Sequence, residues 1–234
     1  MEKERRVILK LSGEALAGES HFGFDETKVR EVAEEVLPAV REGVRLAVVI
    51  GGGNFWRGRS SKDMDRSKAD QIGMLATVMN ALYVSEIFRA YNMETEIFTP
   101  FSCGGITKLF SEDEAKAALK NGKVVFFAGG TGHPFFSTDT GIVLRALELE
   151  MDEILLAKAV DGVYDSDPAK NPEAKKYDSI SIDEVVEKKL GVIDLTASAL
   201  CAENRMPLAV FALDGQGSIT RALRGEITGT RITV

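Results

Sequence analysis

Short apolar runs alternate with longer amphipathic stretches along almost the whole chain. Arg6–Leu11 predicts a first strand, and residues 12–18 a glycine-containing loop after it. Asp25 is placed to cap a helix. Behind it Val29, Val32, Ala33, Val36, Leu37 and Val40 recur at the spacing of one helical face. Pro38 falls inside that face and marks a kink or the last turn, and Gly43 supplies the stop. Residues 46–50, Leu-Ala-Val-Val-Ile, are a continuous apolar run. That is the pattern of a parallel strand covered on both faces.

Ser67 opens a long predicted helix reaching about residue 92, with Ile72, Leu75, Ala76, Met79, Leu82 and Tyr83 as its buried stripe. Residues 94–99 read as a strand ended by Pro100. Ser111-Glu112-Asp113-Glu114 is a capping box for a helix through Lys120, closed by Asn121-Gly122. Residues 124–128 form a second fully apolar strand, followed by a helix over 138–150 and a strand over 153–157. Residues 161–179 are polar, carry Pro168 and Pro172, and read as a functional loop. Ser181-Ile182-Asp183-Glu184 is a second capping box. A helix over 194–204, a strand over 208–211, a helical turn or more over 218–223 and a last strand over 228–234 complete the chain. Strands that alternate with helices in this way predict a mostly parallel sheet with helices on both faces. With no repeat and no break in composition, the expectation is one domain over residues 1–234.

Composition changes this picture little. The chain has 234 residues, 44% hydrophobic and 28% charged, as globular proteins do. A chain of this size buries about 70% of its unfolded surface and needs no staple. Cys103 and Cys201 are too few and too far apart for a zinc cluster or a disulfide framework, and read as neutral thiols in a reducing compartment. No apolar segment approaches the ~18 residues of a membrane span, and no signal peptide is visible, so a cytoplasmic location is expected. A net charge of −7 argues against nucleic acid or an acidic membrane as the main partner. Any anion must therefore be held by a local positive field.

Three strand ends supply candidates for that field. The first carries Lys10 and Ser12-Gly13; the second carries Gly51-Gly52-Gly53, then Arg57. The third carries Gly129-Gly130-Thr131-Gly132, then Ser137-Thr138-Asp139 at a helix start. Ligands of parallel sheets bind outside the carboxyl ends of the strands. Glycine loops and helix N-termini let several N–H groups converge on a phosphate. Alone, Gly51-Gly52-Gly53 is equally a tight turn, and Lys10 equally a lysine reaching for water. Asp70, near a helix start, is favourable there for the helix dipole and is also a candidate acceptor for ligand hydroxyls. Asp139 would repel a phosphate unless it organises a lysine or a magnesium-bound phosphate. Neither the Gly-x-x-x-x-Gly-Lys-[Ser/Thr] loop nor the Gly-x-Gly-x-x-Gly fingerprint is present.

Taken together, these segments resemble the bacterial-type uridylate kinases of the amino acid kinase superfamily. The matching stretches are Lys10-Leu11-Ser12-Gly13-Glu14-Ala15-Leu16, Val49-Ile50-Gly51-Gly52-Gly53-Asn54 with Arg57, and Asp70 with Gly73-Met74-Leu75-Ala76-Thr77-Val78-Met79-Asn80. Gly130-Thr131-Gly132 through Pro134-Phe135-Phe136 to Thr138-Asp139, Val160-Asp161-Gly162-Val163-Tyr164 and Asp167-Pro168-Ala169-Lys170 complete the match. The glycine segments are shared with carbamate, acetylglutamate and aspartate kinases; the segment from Gly73 to Asn80 is more specific to the uridylate group.

The resemblance implies an α/β/α sandwich with an N-terminal acceptor lobe and a C-terminal ATP lobe. It implies transfer of the γ-phosphate of MgATP to UMP, a homohexamer, activation by GTP and inhibition by UTP. By the same match, Lys10, Leu11, Ser12, Gly13, Gly53, Arg57, Lys158, Tyr164 and Asp167 belong to the ATP site. Gly52, Asp70, Thr131, Gly132, His133, Pro134, Phe135, Phe136, Ser137 and Thr138 belong to the UMP site. Lys10, Asp139 and Asp194 would be catalytic, with Mg carried on the ATP phosphates. His21, Phe22, Gly23 and Phe24 fall where the GTP-responsive region lies. His133 stands where close relatives often carry Asn, and Lys158-Ala159 where many carry Thr-Lys. Two other readings compete: a superfamily kinase acting on a carboxylate or carbamate, and a non-catalytic nucleotide-binding regulator.

Overall fold

In the computed structural model, which describes residues 4–56, 64–213 and 216–234, the apolar runs become the centre of one sheet. Its strands are β1 (Arg6–Leu11), β2 (Arg45–Ile50), β3 (Thr95–Thr99), β4 (Lys108–Leu109), β5 (Val124–Phe127), β6 (Glu153–Lys158), β9 (Ser179–Ser181), β10 (Leu208–Ala212) and β11 (Thr230–Thr233). They lie in the order β4-β3-β5-β2-β1-β6-β10-β11-β9. Every neighbouring pair is parallel except β10 with β11. β7 (Val163–Tyr164) and β8 (Lys176–Tyr177) form a separate antiparallel hairpin inside the polar excursion.

Side-chain alternation along each strand sends successive residues to opposite faces. From β1, Val7, Leu9 and Leu11 enter one core, and Ile8 enters the other. The first core is closed by α1 (Glu26–Arg41), α2 (Arg66–Ala90) and α7 (Ser218–Arg224). The second is closed by α3 (Glu112–Lys120), α4 (Thr138–Glu148), α5 (Ile182–Glu187) and α6 (Leu195–Asn204). The result is a three-layer sandwich with a mostly parallel sheet. Local capping chemistry sets the helix starts. Asp25 accepts from Thr27 and Lys28, Ser111 and Ser181 from Glu114 and Glu184, and Asp194 from Ala197. Pro38 sits in the last turn of α1, so the helix bond lost with its N–H leaves the preceding turns intact.

The long helix α2 departs from its prediction. Its cap is Asp65, which accepts from the N–H of Lys68 at 3.1 Å; Ser67 lies inside the helix. Its buried face is Ala69, Ala76, Thr77, Val78, Asn80, Ala81, Val84, Ser85 and Phe88, whereas Ile72, Leu75 and Met79 are exposed. The reason is steric. α2 passes so close to the glycine loop after β2 that a Cβ on Gly52 would stand 2.9 Å from Gly73 O and 3.0 Å from Ala76 Cβ. Only small residues fit the inner face beside Gly52, so Ile72, Leu75 and Met79 face outward there, while Phe88 is buried farther along the helix. Cys201 is buried, and desolvation pushes its thiol pKa up to about 12, so it is neutral. Among the described residues no helix is long and apolar enough to cross a membrane.

Candidate active site

Alternation along β1 also decides where Lys10 points. It shares the face of Ile8, the face that α4 covers, and it lies one residue from the strand's carboxyl end. Lys10 Nζ pairs there with Asp139 in the first turn of α4. Both side chains are mostly covered, at 17% and 18% exposure, so water screens the pair only partly. Ser137 caps α4, its Oγ accepting from the N–H groups of Asp139 (3.0 Å) and Thr140 (3.4 Å). The Ser137 hydroxyl in turn donates to Asp194, and Thr140 Oγ1 donates to the same carboxylate at 3.1 Å. Asp194 meanwhile caps α6 through the N–H of Ala197 at 2.9 Å. One network thus fixes two helix N-termini side by side, each carrying the positive end of a dipole. Burial raises the Asp194 pKa, but the bonds from Ser137, Ala197 and Thr140 outweigh it and hold the carboxyl below its ordinary range.

These helix starts border a cavity of about 400 Å³. Gly52, Asp70 and Thr131, with Phe136, Ser137 and Thr138, form one side; Lys158, Val192 and Asp194 form another. Asp70 accepts from Arg66 Nε through both oxygens (3.0 and 2.9 Å) and from the backbone N–H of Phe135 at 2.8 Å. Phe135 holds a φ of 73°, a left-handed conformation that costs a bulky residue energy. Asp70 thus fixes the loop over residues 131–137 against α2. Lys158 ends β6, and its Nζ donates to Val192 O. Burial, with Lys10 nearby, pushes its ammonium pKa down, against the pull of Asp139. Lys10 and Lys158 therefore both act on the Asp139 carboxylate at this end of the cleft.

Not every predicted site residue meets this cavity. Leu11 is fully buried, so only its backbone is available to a ligand. Gly13 is buried beneath Gly51 and Asn54, and Gly53 stands beside Glu14. Ser12, Lys158 and His21 border a second cavity, of about 900 Å³, between α1 and α7. Gly132, His133, Pro134 and Phe135 belong to the loop between β5 and α4 without lining the first cavity. Tyr164 and Asp167 line neither cavity. Tyr164 OH donates to Asp161 at 2.6 Å, and Asp167 pairs with Lys170 at 3.1 Å. Phe22 is exposed, and Phe24 stacks on Tyr83 with ring centroids 4.0 Å apart. Arg57 lies outside the described residues.

The residues that sequence reasoning passed over are Trp56, Arg66 and the run Gly191-Val192-Ile193, all of which border the first cavity. Arg66 had a visible signal, its i,i+4 spacing to Asp70; the others become neighbours only through the fold. Among the described residues no cluster of His, Cys, Asp or Glu is arranged to hold a metal ion.

The arrangement places Lys158, glycine-loop backbone and two helix starts around one cleft at the carboxyl edge of a parallel sheet, and Lys10 meets it through Asp139. That edge suits binding and transfer of phosphoryl groups. Comparison with known proteins points the same way. Solved structures of a UMP kinase from Bacillus anthracis (37% identity, TM-score 0.94, covering 98% of this chain and 96% of that one) and of a UMP kinase from Ureaplasma parvum (35%, 0.94, 99% and 100%) superpose along nearly the whole length. A uridylate kinase from Archaeoglobus fulgidus matches at 28% identity and a TM-score of 0.76, over 97% and 99% of the two chains. The model of the amino acid kinase family matches residues 5–212, every strand from β1 to β10 and all the cleft residues named above, and the chain accordingly belongs to that family.

Proposed function

We propose that this chain is a uridylate kinase that transfers the γ-phosphate of ATP to UMP, giving UDP. The observation that carries the reading is the Lys10–Asp139 pair at the head of α4, whose Asp139 borders a cleft also lined by Gly52, Asp70, Thr131, Phe136, Ser137 and Thr138. In this reading UMP lies on the Asp70 side, its phosphate near Gly52 and the start of α4, with Thr131, Gly132, His133, Pro134, Phe135, Phe136, Ser137 and Thr138 around it. ATP lies against Leu11, Ser12, Gly13, Gly53, Arg57 and Lys158, with Tyr164 and Asp167 reaching its nucleoside end. Both substrates thus draw on strand ends from the N-terminal part of the chain, while Lys158, Tyr164 and Asp167 give the C-terminal lobe its role at the donor.

Phosphoryl transfer asks little covalent help from a protein; positioning and charge stabilisation supply the rate. Lys10 neutralises charge on the phosphoryl group in flight. Asp139 holds the Lys10 ammonium in place, and Asp194 holds Ser137 and Thr140, so the start of α4 cannot shift. Magnesium arrives on the ATP phosphates as part of that substrate. An assay of ATP-dependent transfer over UMP, CMP, AMP, acetylglutamate and carbamate tests the reading. Turnover with UMP alone is the expected result, and turnover of a carboxylate or carbamate instead would overturn it.

Asp70 gives a narrower test. Asp70→Asn keeps the shape but removes the charge that strengthens hydrogen bonds to ribose hydroxyls. Such bonds contribute about 1.5 kcal/mol or more, so KM for UMP should rise on the order of tenfold with little change in kcat. An unchanged KM for UMP would remove Asp70 from the acceptor site.

The reading extends to regulation and assembly: a cytoplasmic homohexamer, activated by GTP through the segment from His21 to Phe24 and inhibited by UTP. The outward face of α2 supports self-association, because Ile72, Leu75 and Met79 recur at i, i+3 and i+7 and are exposed. Sedimentation velocity of the purified chain reads the assembly, and a monomer at micromolar concentration would exclude it.

A further inference from the structure

Asn54 and Asn80 are 1% and 0% exposed, and the mechanism above uses neither. Buried amides are tolerated when their polar atoms are paired. Asn80 Nδ2 donates to Gly51 O and to Asn54 Oδ1, each at 2.7 Å. Asn54 Nδ2 donates to Asn80 Oδ1 at 3.0 Å and to Gly23 O at 2.8 Å. All four amide hydrogens and both amide oxygens are thereby used. The backbone closes the unit: Gly23 N–H donates to Asn54 O at 3.1 Å, and Gly51 N–H donates to Leu11 O at 3.0 Å.

The consequence lies in the peptide between Gly51 and Gly52. A trans peptide directs its C=O and N–H to opposite sides of the chain, and the described residues contain no cis bond. Asn80, from the inner face of α2, holds the Gly51 carbonyl into the protein. The N–H of the same peptide, that of Gly52, must then point the other way, and Gly52 borders the cleft. An apolar pair would fill the same volume but could not choose between the two orientations of that peptide.

We propose that Asn54 and Asn80 are positioning residues for phosphoryl transfer: together they fix the Gly51–Gly52 peptide with its N–H presented to an anionic phosphoryl group, and they tie that peptide to Gly23. The proposal rests on the kinase reading and adds to it the device that aims one donor.

The test is Asn80→Asp, which keeps the side chain's shape but replaces the donor to Gly51 O by an acceptor that repels it. Asn80→Ser is the milder partner, too short to reach Gly51 O and Asn54 together. Both are compared with the unaltered enzyme by thermal melting, steady-state kinetics, and binding of UMP against uridine. We expect kcat to fall about tenfold or more, a part of the hundredfold or greater effect of losing a preorganised donor outright. Affinity for UMP should fall while affinity for uridine, which has no phosphate, holds. The double variant Asn54→Ala/Asn80→Ala should lose no more kcat than the Asn80→Ala single, because the two amides act as one unit. A purely structural pair would lower the melting temperature but leave kcat and the UMP-to-uridine affinity ratio unchanged in the folded enzyme; that result would overturn the proposal. An unaltered enzyme without UMP turnover would instead overturn the kinase reading on which it rests.

Discussion

Replacing Lys10 by alanine is expected to lower kcat for UMP phosphorylation by about two to three orders of magnitude, the scale of losing one preorganised charge donor at a transition state. The fold should survive. Lys10 lies near the carboxyl end of β1, after the buried run from Val7 to Leu9, and its side chain belongs to neither core but pairs with Asp139, which borders the cleft. Asp139 loses its partner, but the Lys158 ammonium is close enough for the two charges to feel each other, so the carboxylate is not left isolated. The loss should therefore appear in kcat much more than in the melting temperature, with KM for UMP little changed because the proposed acceptor residue Asp70 makes its contacts with Arg66 and Phe135 and none with Lys10. Lys10→Arg should recover only part of the rate. A guanidinium keeps the charge but is a wider planar fork than an ammonium, and Asp139 would hold it in a different place. Steady-state kinetics beside a thermal melt of each variant decides the matter, and undiminished turnover in Lys10→Ala would remove Lys10 from the reaction.

Lys10 and Asp139 also mark how far sequence reasoning reached. Each was visible as a charged residue beside a glycine-rich strand end. Their contact was not, since it spans 129 positions and depends on β5 and β6 flanking β2 and β1 so that α4 begins beside the end of β1. Features set by neighbouring residues were legible: the apolar central strands, the caps at Asp25, Ser111 and Ser181, and Pro38 in a last helical turn. Features set by distant packing were not. α2 carries apolar residues on two sides, and periodicity favoured the larger ones, whereas the close approach of Gly52 demands the smaller. β9 has three residues, and β4, β7 and β8 have two each, too few for any pattern; their pairing comes from the strands they meet. Asn54 and Asn80 look like any helix or loop asparagine until the fold puts them face to face.

Gly13→Ala should damage the enzyme more broadly than Lys10→Ala, because it strikes the contact between the loops after β1 and β2. A Cβ built on Gly13 would overlap Gly51 O, stand 2.5 Å from Asn54 Oδ1 and lie 3.1 Å from Asn80 Nδ2. None of these atoms is the free end of a flexible side chain. Gly51 O is backbone held by Asn80, and the two amides are buried and saturated with hydrogen bonds. The methyl group can be accommodated only by moving the loop after β1 away from the loop after β2, or by breaking the amide pair. Overpacking of this kind costs about 1–3 kcal/mol of stability, and more where the neighbours cannot yield. Separating the loops by about 1 Å also misaligns donor and acceptor phosphates, and a displacement of that size is worth on the order of a hundredfold in rate. Both losses are therefore expected together: a lower melting temperature, and a kcat reduced on the order of a hundredfold in whatever fraction remains folded. Gly105→Ala is the matched control, since a Cβ there meets nothing within 4 Å, and its stability should change by no more than about 0.5 kcal/mol. If Gly13→Ala melted and turned over like the control, the loops after β1 and β2 could not be in the contact that brings Lys10, Gly52 and the amide pair to one side of the cleft.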